Sequence, residues 1–371
     1  MDRLKIIDSE ISDIAGKLDF YAGLTPLNQK AERAKFFDSF KNKDKYNPVF
    51  EYTSRDFFSE SQRLKKLSAE IKKPDKSLLG SLFLMKIDYI TRQIALLNCE
   101  DEQFGALSSG LYGCPSEEDM DVSRKILVQV SKKEHIFPEE TVSAGKMRDI
   151  IERKLAGNNI KGWKVALSDK IVPKLSVSGR DRNIYVNPSL NYTREEIQRL
   201  MVHEIEVHVY RALNGANQPF RIFAEGLAGY DETEEGLAVT AEEKAGCLDI
   251  DKRQIKLYAG RCLAVRTALN ESFFDTFITL KNYFPDEIAY RLTERVKRGL
   301  KNTRVKGAFT KDMHYVSGFN KLKGYIDGKG DLKILYTGKI GLPDAGLVGE
   351  LVKDGVLKRA EYFPEYISDN K

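Results

Sequence analysis

The sequence predicts a mixed α+β fold with many helices and few strands. Three observations carry that reading. Apolar residues recur at helical spacing along both ends of the chain, short runs rich in Val, Ile and Tyr cluster between residues 163 and 186, and a capping signal precedes an apolar run at residue 193. With 371 residues, 42% of them hydrophobic, the chain can build one large domain or two ordinary ones.

The elements follow in order. Leu4, Ile7, Ile11, Ile14 and Leu18 share one helical face, and Leu78 to Leu97 reads as a long apolar-rich helix. Ala106 to Ser116, with its glycines, serines and Pro115, reads as a linker, so a mostly helical region over 1–115 is expected to precede a second domain over 116–371. There a helix over Ser143 to Leu155 leads to strand-like runs at Trp163 to Leu167, Lys174 to Val177 and Asn183 to Val186. Thr193-Arg194-Glu195-Glu196 has the capping-box form, so a helix starts at Arg194; it is apolar on most sides and stops at Asn214-Gly215. Asp231-Glu232-Thr233-Glu234 repeats the capping arrangement before a helix that ends near Ala245, closed by Gly246. Helices are expected at Gln254 to Leu269, Asp286 to Leu300, Asp312 to Ile326 and Asp344 to Lys353, with a short strand at Leu332 to Tyr336.

Composition excludes several classes. No apolar run is long enough to cross a bilayer, and the first residues do not open a signal peptide. Cys99, Cys114, Cys247 and Cys262 lie far apart without CxxC pairing, which suits a reducing compartment, and a cytoplasmic protein is expected. The net charge of +5 is spread over the whole length and reads as a solvated basic face; no nucleic-acid motif accompanies it, and it tolerates an acidic peptide partner.

Chemistry concentrates at His203-Glu204-Ile205-Glu206-Val207-His208. Two His and two Glu on a buried helix are costly unless they find partners. The zinc-peptidase motif H-E-x-x-H places its histidines at i and i+4. Here they stand at i and i+5, about 140° apart on an ideal helix, so they reach one ion only if the helix takes up an extra residue as a π-bulge does. Spacing alone is equally compatible with two satisfied core histidines. A catalytic zinc takes three protein ligands and leaves a fourth position open. Glu235, near the start of the following helix, offers the third, and Gly236 beside it permits close packing against the first helix. Glu234 reads as the capping-box acid, and acids 232–235 also favour a helix N-terminus.

These residues, with Asn214-Gly215-Ala216-Asn217-Gln218-Pro219 and Thr233-Glu234-Glu235-Gly236-Leu237-Ala238, resemble the metallopeptidase family of the microtubule-associated tyrosine carboxypeptidases. Its bacterial relatives carry the label flavohemoglobin expression-modulating QEGLA-motif proteins. Phe309-Thr310-Lys311-Asp312 with Tyr315 resembles a further family segment, and the resemblance spans about residues 145 to 345. It implies a zincin-like, gluzincin-type domain and an H-E-x-x-x-H motif as a family trait. It also implies one zinc per chain on His203, His208 and the Glu of E-G-L-A, with Glu204 as catalytic base. Glu225-Gly226-Leu227-Ala228 and Glu235-Gly236-Leu237-Ala238 both offer that tetrapeptide, and only the second meets the family pattern T-[EQ]-E-G-L-A. Glu206 stands where the family has Gly, which implies a narrower or differently charged cleft and a reduced activity or changed substrate.

The resemblance implies removal of a C-terminal, Tyr-like residue from a peptide or protein tail, and the basic excess of the chain is compatible with an acidic one; Glu204 would take the proton of water and pass it to the leaving amine. Lys311 and Tyr315 are the candidates for holding substrate. His314 is read as structural and His135 carries no assignment. An endo- or aminopeptidase of the same metal class, and a non-enzymatic regulator that keeps the metal site, are the alternatives.

Overall fold

The computed structural model describes residues 2–72, 77–130, 141–171, 173–250 and 252–368. The chain divides into two compact units, each made of two stretches: Met1–Glu134 with Ile255–Ser317, and His135–Gln254 with Gly318–Lys371. This division is not a single cut near residue 115. The stretch expected to link two domains is largely helical: Asp101–Tyr112 is one helix, and Ser116 caps the next, Glu117–Gln129, with its hydroxyl on the Asp119 N–H. Glycine and serine inside 106–112 are tolerated because this helix is buried on one side through Phe104, Gly105, Ser108 and Tyr112.

The first unit is helical. Its helices Asp2–Leu18 and Leu78–Leu97 match the apolar periodicity, and Ser77 caps the second through the Gly80 N–H at 3.0 Å. An aromatic cluster fills part of the core: Phe36 lies 4.9 to 5.3 Å from Phe273, Phe277 and Tyr290, in edge-on and tilted contacts.

The second unit holds both sheets. β1 (Thr141–Val142) pairs antiparallel with β5 (Tyr192–Thr193). β2 (Lys164–Leu167), β3 (Leu175–Ser178) and β4 (Asn183–Val186) form a sheet in the order β2-β4-β3, with β4 parallel to β2 and antiparallel to β3. Ile184 is fully buried at the centre, opposite Val165 on one side and Val177 on the other. The capping box at Thr193 forms as expected: Thr193 Oγ1 accepts the Glu196 N–H, and the Glu196 carboxylate accepts the Thr193 N–H at 3.0 Å. The small mixed sheets amid many helices agree with the expected α+β class. No helix among the described residues is long and apolar enough to cross a membrane.

Three local expectations are corrected. Leu332–Leu335 is a helical turn capped by Asp331, where a strand was expected. The helix carrying Glu235 runs over Tyr230–Lys244 and starts from Gly229 in the left-handed region, not from a side-chain cap at Asp231. Thr233 is free of capping duty, and its hydroxyl accepts the Leu342 N–H at 2.7 Å. The helix expected to stop at Asn214-Gly215 ends one residue later, at Ala216.

Gly215 is there for space. A Cβ at that position would lie 2.2 Å from the Phe223 carbonyl oxygen, inside the turn where Tyr210–Ala216 meets Ile222–Glu225. Asn214 and Gln218 flank it as clamps. Asn214 accepts the N–H groups of Glu361 and Tyr362 and donates to the Tyr362 carbonyl, while Gln218 donates to the Thr337 and Lys358 carbonyls. Gly215→Ala tests this. Alanine is the better helix former by about 1 kcal/mol, but the backbone clash should prevail and give a net loss of roughly 1–3 kcal/mol. Urea unfolding reads the change as a lower midpoint at constant slope, and an unchanged or higher midpoint would refute the packing argument.

Candidate metal centre

The two histidines sit on a continuous helix over residues 194–216 whose middle is widened. Arg194–Leu200 and Tyr210–Ala216 are α-helical, and Met201–Val209 between them is π-helical. At its end the Tyr210 N–H reaches the Ile205 carbonyl, five residues back. This is the widening that the i, i+5 spacing requires. It brings the rings of His203 and His208 to a centroid separation of 5.0 Å, with their planes 74° apart. Ile205, Val207 and Val209 are fully buried, so the segment is held by apolar packing, part of it against β3.

The helix Tyr230–Lys244 packs along the π segment. It brings Glu235 to the histidines: one ligand atom each of His203, His208 and Glu235 lies within 4.8 Å of the other two, and His203 Nε2 is 3.8 Å from Glu235 Oε2. All three residues are buried or half-buried. The same helix supplies two further carboxylates. Glu242 Oε1 is 2.7 Å from His203 Nδ1, and Glu234 Oε1 is 2.8 Å from His208 Nδ1. Each is also paired with an arginine: Arg199 Nη1 donates to Glu242 Oε1 at 3.0 Å, and Arg211 Nη1 donates to Glu234 Oε2. Lys339 Nζ adds a contact to Glu234 Oε1 at 3.2 Å.

The electrostatics follow from these contacts. Burial alone would raise the Glu234 pKa, but Lys339, Arg211 and the hydrogen bond from His208 outweigh it and hold the carboxyl well below the usual range. For His203, burial disfavours the protonated ring, yet the hydrogen bond and charge of Glu242, with the charges of Glu204 and Glu235, raise its pKa. Arg211 is wholly buried; its guanidinium also donates to the carbonyls of Leu335, Gly338 and Ile340.

The donor set suits a divalent cation. Ionised carboxylates accept but cannot donate, so each Nδ1 facing one carries a hydrogen, and Nε2 is the nitrogen left for a ligand role. Among the residues named, Glu204, Glu234, Glu235 and Glu242 outnumber Arg199, Arg211 and Lys339, an excess of negative charge that a cation would offset.

The other predicted residues fall as follows. Glu204 is half-buried beside His203. Glu206 turns to Lys154, with Oε1 2.8 Å from Nζ. Glu225, of the first E-G-L-A, pairs with Arg180 and stands outside the three-residue group. Gly236 does not open space for the histidine helix as expected: its Cβ would lie 2.5 Å from the Gly318 backbone, so the close approach is to that glycine. Lys311 and Tyr315 belong to the first unit, where Tyr315 stacks on Tyr258 at 4.6 Å beneath Arg261, and Lys311 lies over the Tyr21 ring. His314 is buried there, with Nε2 3.0 Å from the Tyr112 carbonyl, a packing role as expected. His135 lies outside the described residues.

Sequence reasoning missed Arg199, Arg211, Glu242 and Lys339 and misread Glu234. The signal was present: Glu242 is seven residues after Glu235 on one helix, and Arg199 and Arg211 are four before His203 and three after His208.

Two histidines on a widened helix thus face a glutamate of the helix Tyr230–Lys244, a group that could hold a metal ion. The family model "Microtubule-associated tyrosine carboxypeptidase" matches residues 34–371, and the chain belongs to that family. It is 27% identical over 181 residues to microtubule-associated tyrosine carboxypeptidase 1 of Rattus norvegicus and 28% identical over 181 residues to that of Homo sapiens; each match covers 47% of this chain and 36% of the relative. The protein of the same name from Mus musculus is 23% identical over 356 residues, 93% of this chain and 64% of the relative. The chain thus spans about a third of the length of the rat and human relatives in these matches.

The carboxylate pairs make a stability prediction. Glu234→Ala would leave Arg211 buried without its carboxylate, a change of about 3–5 kcal/mol when one partner of a buried ion pair is removed. Denaturant unfolding of the metal-free variant should read a loss of that order; a loss under 1 kcal/mol would mean that the backbone carbonyls alone satisfy Arg211.

Proposed function

We propose that this chain is a zinc-dependent metallocarboxypeptidase that removes a C-terminal, Tyr-like residue from a peptide or protein tail. The observation that carries the reading is the convergence of His203 and His208, on a helix widened where the spacing demands it, with Glu235 of the helix Tyr230–Lys244. These three would hold one zinc per chain. The bound ion supplies Lewis acidity, which polarises a carbonyl and makes water a nucleophile near neutral pH.

The chain's own groups do the rest. Glu204, adjacent to His203 and half-buried, takes a proton from the attacking water and delivers it to the leaving amine as the C–N bond breaks, so one carboxylate serves as base and then acid. Such proton transfer contributes about 10²–10⁴-fold to rate. Glu206 is engaged by Lys154, so the acid that stands in place of the family's glycine is neutralised locally. The tyrosine preference is taken from the name the relatives carry, and the basic excess of the chain suits an acidic tail approaching by long-range attraction. The reading carries a cytoplasmic location, in keeping with four free cysteines.

Metal content and activity should separate. His203→Ala, His208→Ala and Glu235→Ala should each lose zinc measured by elemental analysis, while Glu225→Ala keeps it. Glu204→Gln should keep zinc and lose turnover by about 10²–10⁴-fold. Parallel loss of metal and activity in Glu204→Gln would make it a ligand or a structural residue, and full zinc in Glu235→Ala would remove it from the ligand set.

The exopeptidase reading has its own test. A peptide ending in an acidic stretch and Tyr should lose that single residue, read by mass spectrometry, and its C-terminal amide should resist. Equal cleavage of the amide, or internal cuts, would replace the carboxypeptidase by an endopeptidase; no cleavage of any peptide by zinc-loaded protein would favour the regulator.

A further inference from the structure

Each histidine of the centre is backed by the same two-residue arrangement. Behind His203 stand Glu242 and then Arg199; behind His208 stand Glu234 and then Arg211. Both carboxylates come from one helix, eight residues apart, and both arginines come from the helix that bears the histidines. Glu242 is fully buried, and its Oε1 receives the His203 ring and the Arg199 guanidinium together.

We infer that Glu242 is a positioning residue for His203, and Glu234 its counterpart for His208, each fixing the ring as the Nδ1–H tautomer with Nε2 turned to Glu235. The inference rests on the metal reading above. An ionised carboxylate at 2.7 or 2.8 Å accepts only from N–H, so it selects one tautomer and one ring orientation. The arginine behind it holds the carboxylate in place. A core ion pair between Arg199 and Glu242 would need no histidine. The repetition of the arrangement at the second ring, with separate residues, is what a shared positioning role requires. A carboxylate on the far nitrogen also makes the ring a better donor to a metal, and losing such a partner typically weakens metal affinity about 10–100-fold.

The test uses the full chain and zinc alone, in competition with a chromophoric chelator. Glu242→Ala should weaken zinc binding about 10–100-fold. Glu242→Gln should recover part of that loss, because its amide oxygen still accepts from Nδ1–H. Both are read below the melting midpoint of each metal-free variant, so that loss of fold does not enter. Zinc affinity in Glu242→Ala equal to the wild type overturns the proposal, as does a Gln variant no tighter than Ala. Should Glu242→Ala fail to fold, ¹⁵N spectra of the histidine rings in the zinc-loaded wild type decide. Metal-shifted Nε2 and protonated Nδ1 in both rings are expected, and coordination through Nδ1 in either overturns it. A wild-type chain that takes up no zinc defeats the metallopeptidase reading as well, whereas tight zinc with an indifferent Glu242 defeats the positioning role alone.

Discussion

Side chains five residues apart on an α-helix diverge by about 140°. For His203 and His208 to face one point, the helix must widen, and Met201–Val209 does so over its whole length. A π segment is uncommon and is found mostly as a local bulge at functional sites. Here Ile205, Val207 and Val209 are all fully buried. Burial of each such side chain is worth roughly 1.5–3 kcal/mol, which holds the segment in place. The glutamate helix packs alongside that widening and β3 against it.

The second constraint is charge. A helix that buries Glu234, Glu235 and Glu242 together must find them partners, since an unpaired buried carboxylate costs several kcal/mol. Arg199, Arg211, Lys339 and the two histidine rings are those partners. Glu235 differs from its neighbours in facing the other nitrogen of the His203 ring, with Oε2 3.8 Å from Nε2.

Much of this was legible in the sequence and some was not. The capping box at Thr193, the strands around Ile184 and the widened helix all followed from local pattern, because hydrophobic period and capping chemistry act over a few residues. The convergence of His203, His208 and Glu235 followed from spacing and from family resemblance together. Glu234 was misread because a glutamate near a helix start serves equally as a dipole partner or a buried acceptor, and only the fold reveals Arg211 and Lys339 around it. Gly215 and Gly236 were misread for a related reason. The sequence tells that a side chain is missing, and the close backbone that forbids one, Phe223 across a turn or Gly318 from far along the chain, is set by the fold. The two-part make-up of each unit was equally hidden, since chain order carries no signal that residues 255–317 pack with the N-terminal stretch.

Arg211 ties the centre to the chain's last third. Three of its bonds end on the carbonyls of Leu335, Gly338 and Ile340, while Asn214 and Gln218 grip the backbone at 358, 361 and 362. A fragment cut after the glutamate helix would keep every candidate ligand but remove these partners of one guanidinium and two amides. The motif-bearing stretch is therefore not a portable module. Its autonomy ends where the C-terminal segment is removed, and any minimal version of the second unit must carry that segment with it.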